Sequence, residues 1–147
     1  MKTDPRIDQN RLTRINQRHK NAVIPIVRLV KRWSRRKWGI SIPSYLLESL
    51  IINYYSDLCE KISYHIDWEF RDVLDYLANQ VIFDVCDPKG IIKTINYLNY
   101  HERLELANKL RYSYKIASDA INAEVVEKDH IKAIRIWKSL LGDDFAN

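Results

Sequence analysis

Ile26-Val27-Arg28-Leu29-Val30-Lys31-Arg32-Trp33, followed after a basic turn by Ile42-Pro43-Ser44-Tyr45-Leu46-Leu47-Glu48-Ser49-Leu50, reads as the end of one apolar helix and the start of another. The first helix delivers a lysine and an arginine at its C-terminal end. The second opens with a hydroxyl and an aromatic ring. Backbone N–H groups at that helix start, together with Ser44 and Lys31, would suit a polyphosphate, and Tyr45 would cover a flat base. The plainer alternative is an amphipathic hairpin whose cations are simply solvated.

Outward from this pair, apolar periodicity predicts five helices and an all-α helical bundle. The first spans about Asp8 to Lys37, with Leu12, Ile15, Ile26, Leu29, Val30 and Trp33 on one side and Gly39 available to close it. Pro25 falls inside it and is expected to kink or divide it, because proline lacks a backbone donor. The second opens around Pro43 and is apolar nearly all round from Leu46 to Ile52, which marks it as the most buried. The third starts with Asp67 as cap and Glu69 in its first turn, then breaks at Asp87-Pro88. Ile91, Ile92, Ile95 and Tyr97 form either a short strand or an extended apolar loop over the bundle. The fourth, about His101 to Glu127, would bury Leu104, Ala107, Leu110, Tyr114, Ala117 and Ile121, and the small Ala117, Ser118 and Ala120 permit close approach of a neighbour. The fifth, about Asp129 to Leu141, has an aspartate cap, Ile131, Ile134, Trp137 and Leu141 inside, and Gly142 as its stop.

With 147 residues, 46 % of them hydrophobic and 29 % charged, the chain suits one soluble domain with a real core. Only three glycines and four prolines leave little room for hairpin turns. No apolar run reaches membrane-spanning length, and the first thirty residues are too charged for a signal peptide, so no membrane partner is expected. Cys59 and Cys86 are each assigned to a helix as buried free thiols in a reducing cytoplasm. They and the four scattered histidines offer no zinc-ligand spacing. Charge is uneven: residues 1–40 carry a net +10 and residues 41–147 a net −5. A basic first quarter on an acidic body points to an anionic partner.

Short motifs in a consistent order resemble the second half of the nucleotidyltransferases related to cGAS, oligoadenylate synthetase and the bacterial cyclic-oligonucleotide synthases. Thr3-Asp4-Pro5-Arg6 is similar to the stretch just after the catalytic core. Asn16, Leu29-Val30-Lys31-Arg32-Trp33, the Ser44-Tyr45 helix start with Glu48, and Asp87-Pro88-Lys89-Gly90 follow in order. Ala117, Ala120, Glu124, Ala133, Trp137, Leu141-Gly142 and Phe145 are similar to the closing helices. The resemblance covers nearly the whole chain. It implies that Lys31 reaches the triphosphate of a nucleoside triphosphate, that Ser44 contacts the same phosphates, and that Tyr45 stacks on the base.

The catalytic equipment of that family does not show in these residues. Gly39, Gly90 and Gly142 are the only glycines and none precedes a serine. Two-metal phosphoryl chemistry needs convergent carboxylates on a rigid frame. Asp143-Asp144 and the pair Asp84 and Asp87 fit solvated caps better than a metal cage. The expectation is a clamping domain that holds no cofactor and is inactive alone. ATP or GTP with Mg would be used only when a separate catalytic domain or chain completes the enzyme.

Two other readings draw on the basic quarter. Arg28, Arg32, Arg35, Arg36 and Lys37, beside Trp33 and Trp38, form a candidate phosphate or nucleic-acid surface, as in a helical nucleic-acid-binding adaptor. The spacing of Arg14 and His19 matches the arginine and histidine of HEPN-type helical ribonucleases, although Ile15 replaces the polar residue that usually follows the arginine.

Overall fold

Asn16 sets the first turn of the architecture. Its Oδ1 accepts from the backbone N–H groups of Val23 and Ile24 at 3.1 and 2.9 Å, and its Nδ2 donates to Asn21 Oδ1 at 3.2 Å. Two otherwise orphaned donors of a helix start are thus satisfied from the preceding helix. Asn21 turns the chain at φ 65°, a left-handed conformation that asparagine tolerates. The computed structural model describes residues 5–19, 21–36, 42–57, 65–87, 90 and 93–142. Among them run α1 Pro5–Arg18, α2 Val23–Ser34, α3 Ser44–Asp57, α4 Ile66–Gln80, α5 Tyr100–Val125 and α6 His130–Leu141.

The fold is an all-α bundle, with no strand among the described residues. Six helices replace the expected five, because the first predicted helix is two. The division falls at Asn21 rather than Pro25. Pro25 is the third residue of α2, inside the first turn, where its missing N–H costs no hydrogen bond.

α5 packs along both α4 and α6, while α2 touches α1, α3, α4 and α6. Val23, Ile26, Val27, Val30 and Trp33 form the buried stripe of α2. α3 is enclosed as expected, with Leu46, Leu47, Leu50, Ile51, Ile52 and Tyr55 all buried. Trp33 is 0 % exposed, and its indole N–H donates to Ser113 Oγ on α5 at 2.7 Å. That bond ties the end of α2 to the middle of the longest helix.

Several boundaries differ from the periodicity reading. α4 opens at Ile66, which puts Asp67 in the first turn rather than at the cap. It ends at Gln80, well short of Asp87, because Asn96 Nδ2 takes the carbonyls of Val81 and Phe83 at 2.8 Å each. The stretch with Ile95 is a loop, not a strand: Ile95 is buried and its N–H donates to Val85 O at 2.9 Å. Arg103 clasps this loop through Leu98 O, Asn96 O and Asp84 Oδ1 at 2.8–2.9 Å. Tyr97 lies exposed on the loop rather than in the core, and so does Cys86, which was expected buried on a helix. Ile91, Ile92, Cys59 and Asp143-Asp144 lie outside the described residues.

α5 begins at Tyr100 behind a capping box, with Asn99 Oδ1 accepting from Glu102 N–H and Glu102 Oε1 accepting from Asn99 N–H. Its buried row holds Leu106, Ser113 and Ala120 beside the expected Ala107, Leu110, Ala117 and Ile121. Leu104 and Tyr114 lie on its surface instead. In α6, Asp129 caps by accepting from Lys132 N–H, and Gly142 ends the helix at φ 111°. Trp137 and Leu141 are inside, whereas Ile131 is exposed.

Tyr54, Tyr55 and Tyr76 pack where α3 meets α4, with Tyr54 centred 4.9 Å from each of the other two rings. Burial, reinforced by Glu69, Asp72 and Asp75, pushes the Tyr54 phenol up to about 12. Burial and Glu69 raise Tyr55, and burial and Asp57 raise Tyr76. An unfolded chain releases these protons near the ordinary value of about 10, so alkaline pH favours unfolding across the interval between the two values. Relative to wild type, Tyr54→Phe should therefore gain urea resistance between about pH 10 and about pH 12. A constant difference in midpoint between the two proteins would show that Tyr54 is not part of that linkage.

Candidate functional site

The two-helix element quoted at the outset becomes the C-terminal half of α2 and the first two turns of α3. Lys31 Nζ lies 3.2 Å from Glu48 Oε2, with the two side chains 37 % and 21 % exposed. Glu48 is four residues beyond Ser44 and three beyond Tyr45, so these share one face of α3. The ion pair therefore brings the Lys31 ammonium to the face of α3 that carries Ser44 and Tyr45. Ser44 is the first residue of α3 and is exposed. Leu47 N–H reaches back to Pro43 O at 3.3 Å, the first i to i−4 bond at this end of the helix. The Tyr45 ring is 37 % exposed, so one part packs and one part faces solvent.

The five cations assigned to a phosphate surface separate into two rows and a remainder. Arg28 on α2 and Arg35 at its C-cap stand one turn either side of Lys31, share its face, and are exposed. Arg32 and Arg36 turn the other way, toward the end of α6. Arg32 Nε donates to Leu141 O at 2.8 Å, and Arg36 Nη2 reaches Ser139 O at 3.5 Å. Those carbonyls belong to the last turn of α6, where the helix dipole favours cations. Lys37 and Trp38 lie outside the described residues. Trp33 is core and offers no ring for stacking.

The arginine and histidine of the ribonuclease reading are differently placed. His19 is buried against Tyr55, its ring centred 5.4 Å from the tyrosine ring. Its Nε2 lies 2.8 Å from Tyr55 O and must donate there, since a carbonyl only accepts. Arg14 is exposed and its Nε donates to Asn10 O at 3.4 Å. Exposed His130 pairs with Glu124 at 2.9 Å, and exposed His101 with Glu105 at 3.5 Å. Among the described residues no three His, Cys, Asp or Glu side chains converge as metal ligands. No helix there is long and apolar enough to cross a membrane.

Two contacts escape a reading of the chain alone. The spacing of Ser44 and Glu48 does signal a common face, but nothing local says that Lys31 is the partner. The reach of Arg32 to Leu141 O spans 109 positions, and no pattern in the sequence anticipates it.

No protein-family model matches the chain. It is 32 % identical over 145 residues to a protein of Bacillus cereus (strain VD146) named as a probable cyclic nucleotide synthase. The aligned region is 98 % of this chain and 42 % of that protein, so the chain spans less than half the length of this curated relative.

Proposed function

We propose that this chain is the helical, nucleotide-gripping part of a nucleotidyltransferase akin to cyclic nucleotide synthases. The observation that carries the reading is the Lys31–Glu48 contact, in a chain similar to such a synthase along almost its whole length. Lys31 would bind the phosphates of ATP or GTP as a point charge, with the Ser44 hydroxyl completing the grip. Tyr45, 37 % exposed, would lie over the base. Arg28 and Arg35 extend the positive row on either side of Lys31.

The described residues do not fit a metal cage. In the complete enzyme, carboxylates on a rigid frame would hold Mg²⁺ and supply metal-assisted phosphoryl chemistry. We assign that equipment to residues outside those described, on another domain or a separate catalytic chain. The competing adaptor reading has less to work with, since Arg32 and Arg36 face α6 and Trp33 is core.

Incubation of the purified chain with Mg²⁺ and ATP or GTP tests the division of labour. Nucleotide should bind weakly, with no linear or cyclic oligonucleotide formed. Product made by this chain alone would overturn the proposal. Binding to long RNA that far exceeds binding to ATP, and falls steeply with salt, would favour the adaptor.

A further inference from the structure

The Lys31 ammonium is already engaged by a carboxylate, while two arginines on its own face have no ion-pair partner among the described residues. From that imbalance we infer that Glu48 is a specificity-determining residue that makes the site select long phosphate chains over short ones. The inference rests on the nucleotide-binding reading above and deepens it.

A single phosphate arriving at Lys31 meets a cation that Glu48 already neutralises, and it meets the carboxylate itself as a like charge. It must share or displace that partner for little gain. A triphosphate is long enough to reach past Lys31 toward Arg28 or Arg35, each about one helical turn away along α2. Those guanidiniums offer forked donors that suit phosphate oxygens. A monophosphate has only Lys31 to bind and bears the whole cost of competing with Glu48, whereas a triphosphate can set part of its charge on the arginines and bears only part of that cost. Phosphate number is then read by the contrast between a paired cation and its unpaired neighbours.

Glu48 is at the fifth position of α3, beyond the first-turn positions where a carboxylate would favour the helix start. A pair this exposed contributes little to stability, so its charge can be removed without loss of fold. Glu48→Gln keeps the shape and deletes the competitor.

Equilibrium binding of ATP and AMP to the folded wild-type chain, in the same Mg²⁺ buffer, is compared with Glu48→Gln, Lys31→Ala and Arg35→Ala. Glu48→Gln should tighten AMP about fivefold and ATP less than about twofold, narrowing the preference for ATP. Arg35→Ala should weaken ATP and leave AMP nearly unchanged. An unchanged ATP-to-AMP ratio in Glu48→Gln, while Lys31→Ala still loses ATP, would overturn this inference and leave the nucleotide reading standing. If Lys31→Ala binds ATP as wild type does, or wild type binds neither ligand, both fall. Circular dichroism of each variant guards against an unfolded protein being read as a binding defect.

Discussion

Trp33→Ala is expected to remove about 3–5 kcal/mol of folding stability, enough to unfold a domain of ordinary stability. The side chain is 0 % exposed and fills the space between α2 and its neighbours. Truncation leaves a cavity and takes the donor from Ser113 Oγ. The Ser113 hydroxyl keeps its own bond to Lys109 O at 2.8 Å, so it is not left without a partner. Trp33→Phe isolates the smaller part of the effect: most of the ring volume stays and the N–H is lost, for about 1–2 kcal/mol. Urea denaturation distinguishes the two variants. If Trp33→Ala melts like wild type, Trp33 is not the anchor of α2, and its earlier candidacy as a stacking ring for nucleic acid reopens.

Lys31→Ala should weaken ATP binding about tenfold or more while changing stability by less than about 1 kcal/mol. The two numbers separate because the Lys31–Glu48 pair is partly exposed, and screening by water leaves it little structural value. A bound phosphate, by contrast, would make a charge-assisted bond to the ammonium. Lys132→Ala is a suitable comparison, since that lysine pairs with Glu127 at 2.9 Å in the turn between α5 and α6. It should leave ATP binding untouched. Equal loss in both variants would indicate non-specific attraction to a basic protein rather than a site.

The all-helical fold was legible wherever apolar period and caps agreed. Ile26, Val30 and Trp33 fall on one stripe of α2, and Asp129 and Gly142 bound α6, all readable from local spacing. The capping box of Asn99 and Glu102 starts α5 at Tyr100, a residue before the His101 that periodicity predicts. Other features depend on tertiary contacts. Asn16 carries no local capping signal in the sequence, and only the fold turns it back to cap α2 in place of a break at Pro25. Asn96 ends α4 early by taking carbonyls that a longer helix would have used internally. A hydrophobic pattern cannot report such capture of backbone groups.

At the site, residue types were legible and their pairings were not. Lys31, Ser44 and Tyr45 stood out from their position at the junction of two helices. The basic residues of α2 looked like one patch because helical spacing fixes only directions around an axis. It does not say which direction another helix occupies. α6 lies on the side of Arg32 and Arg36, and that placement divides the patch.

Titration of ATP and Mg²⁺ into the isotopically labelled chain, followed by amide chemical shifts, tests the nucleotide grip most directly. Saturable shifts gathered on residues 28–35 and 44–48, and lost in Lys31→Ala, are the predicted result. Shifts centred on α5 or the far end of α6, or none at about millimolar ATP, would contradict it.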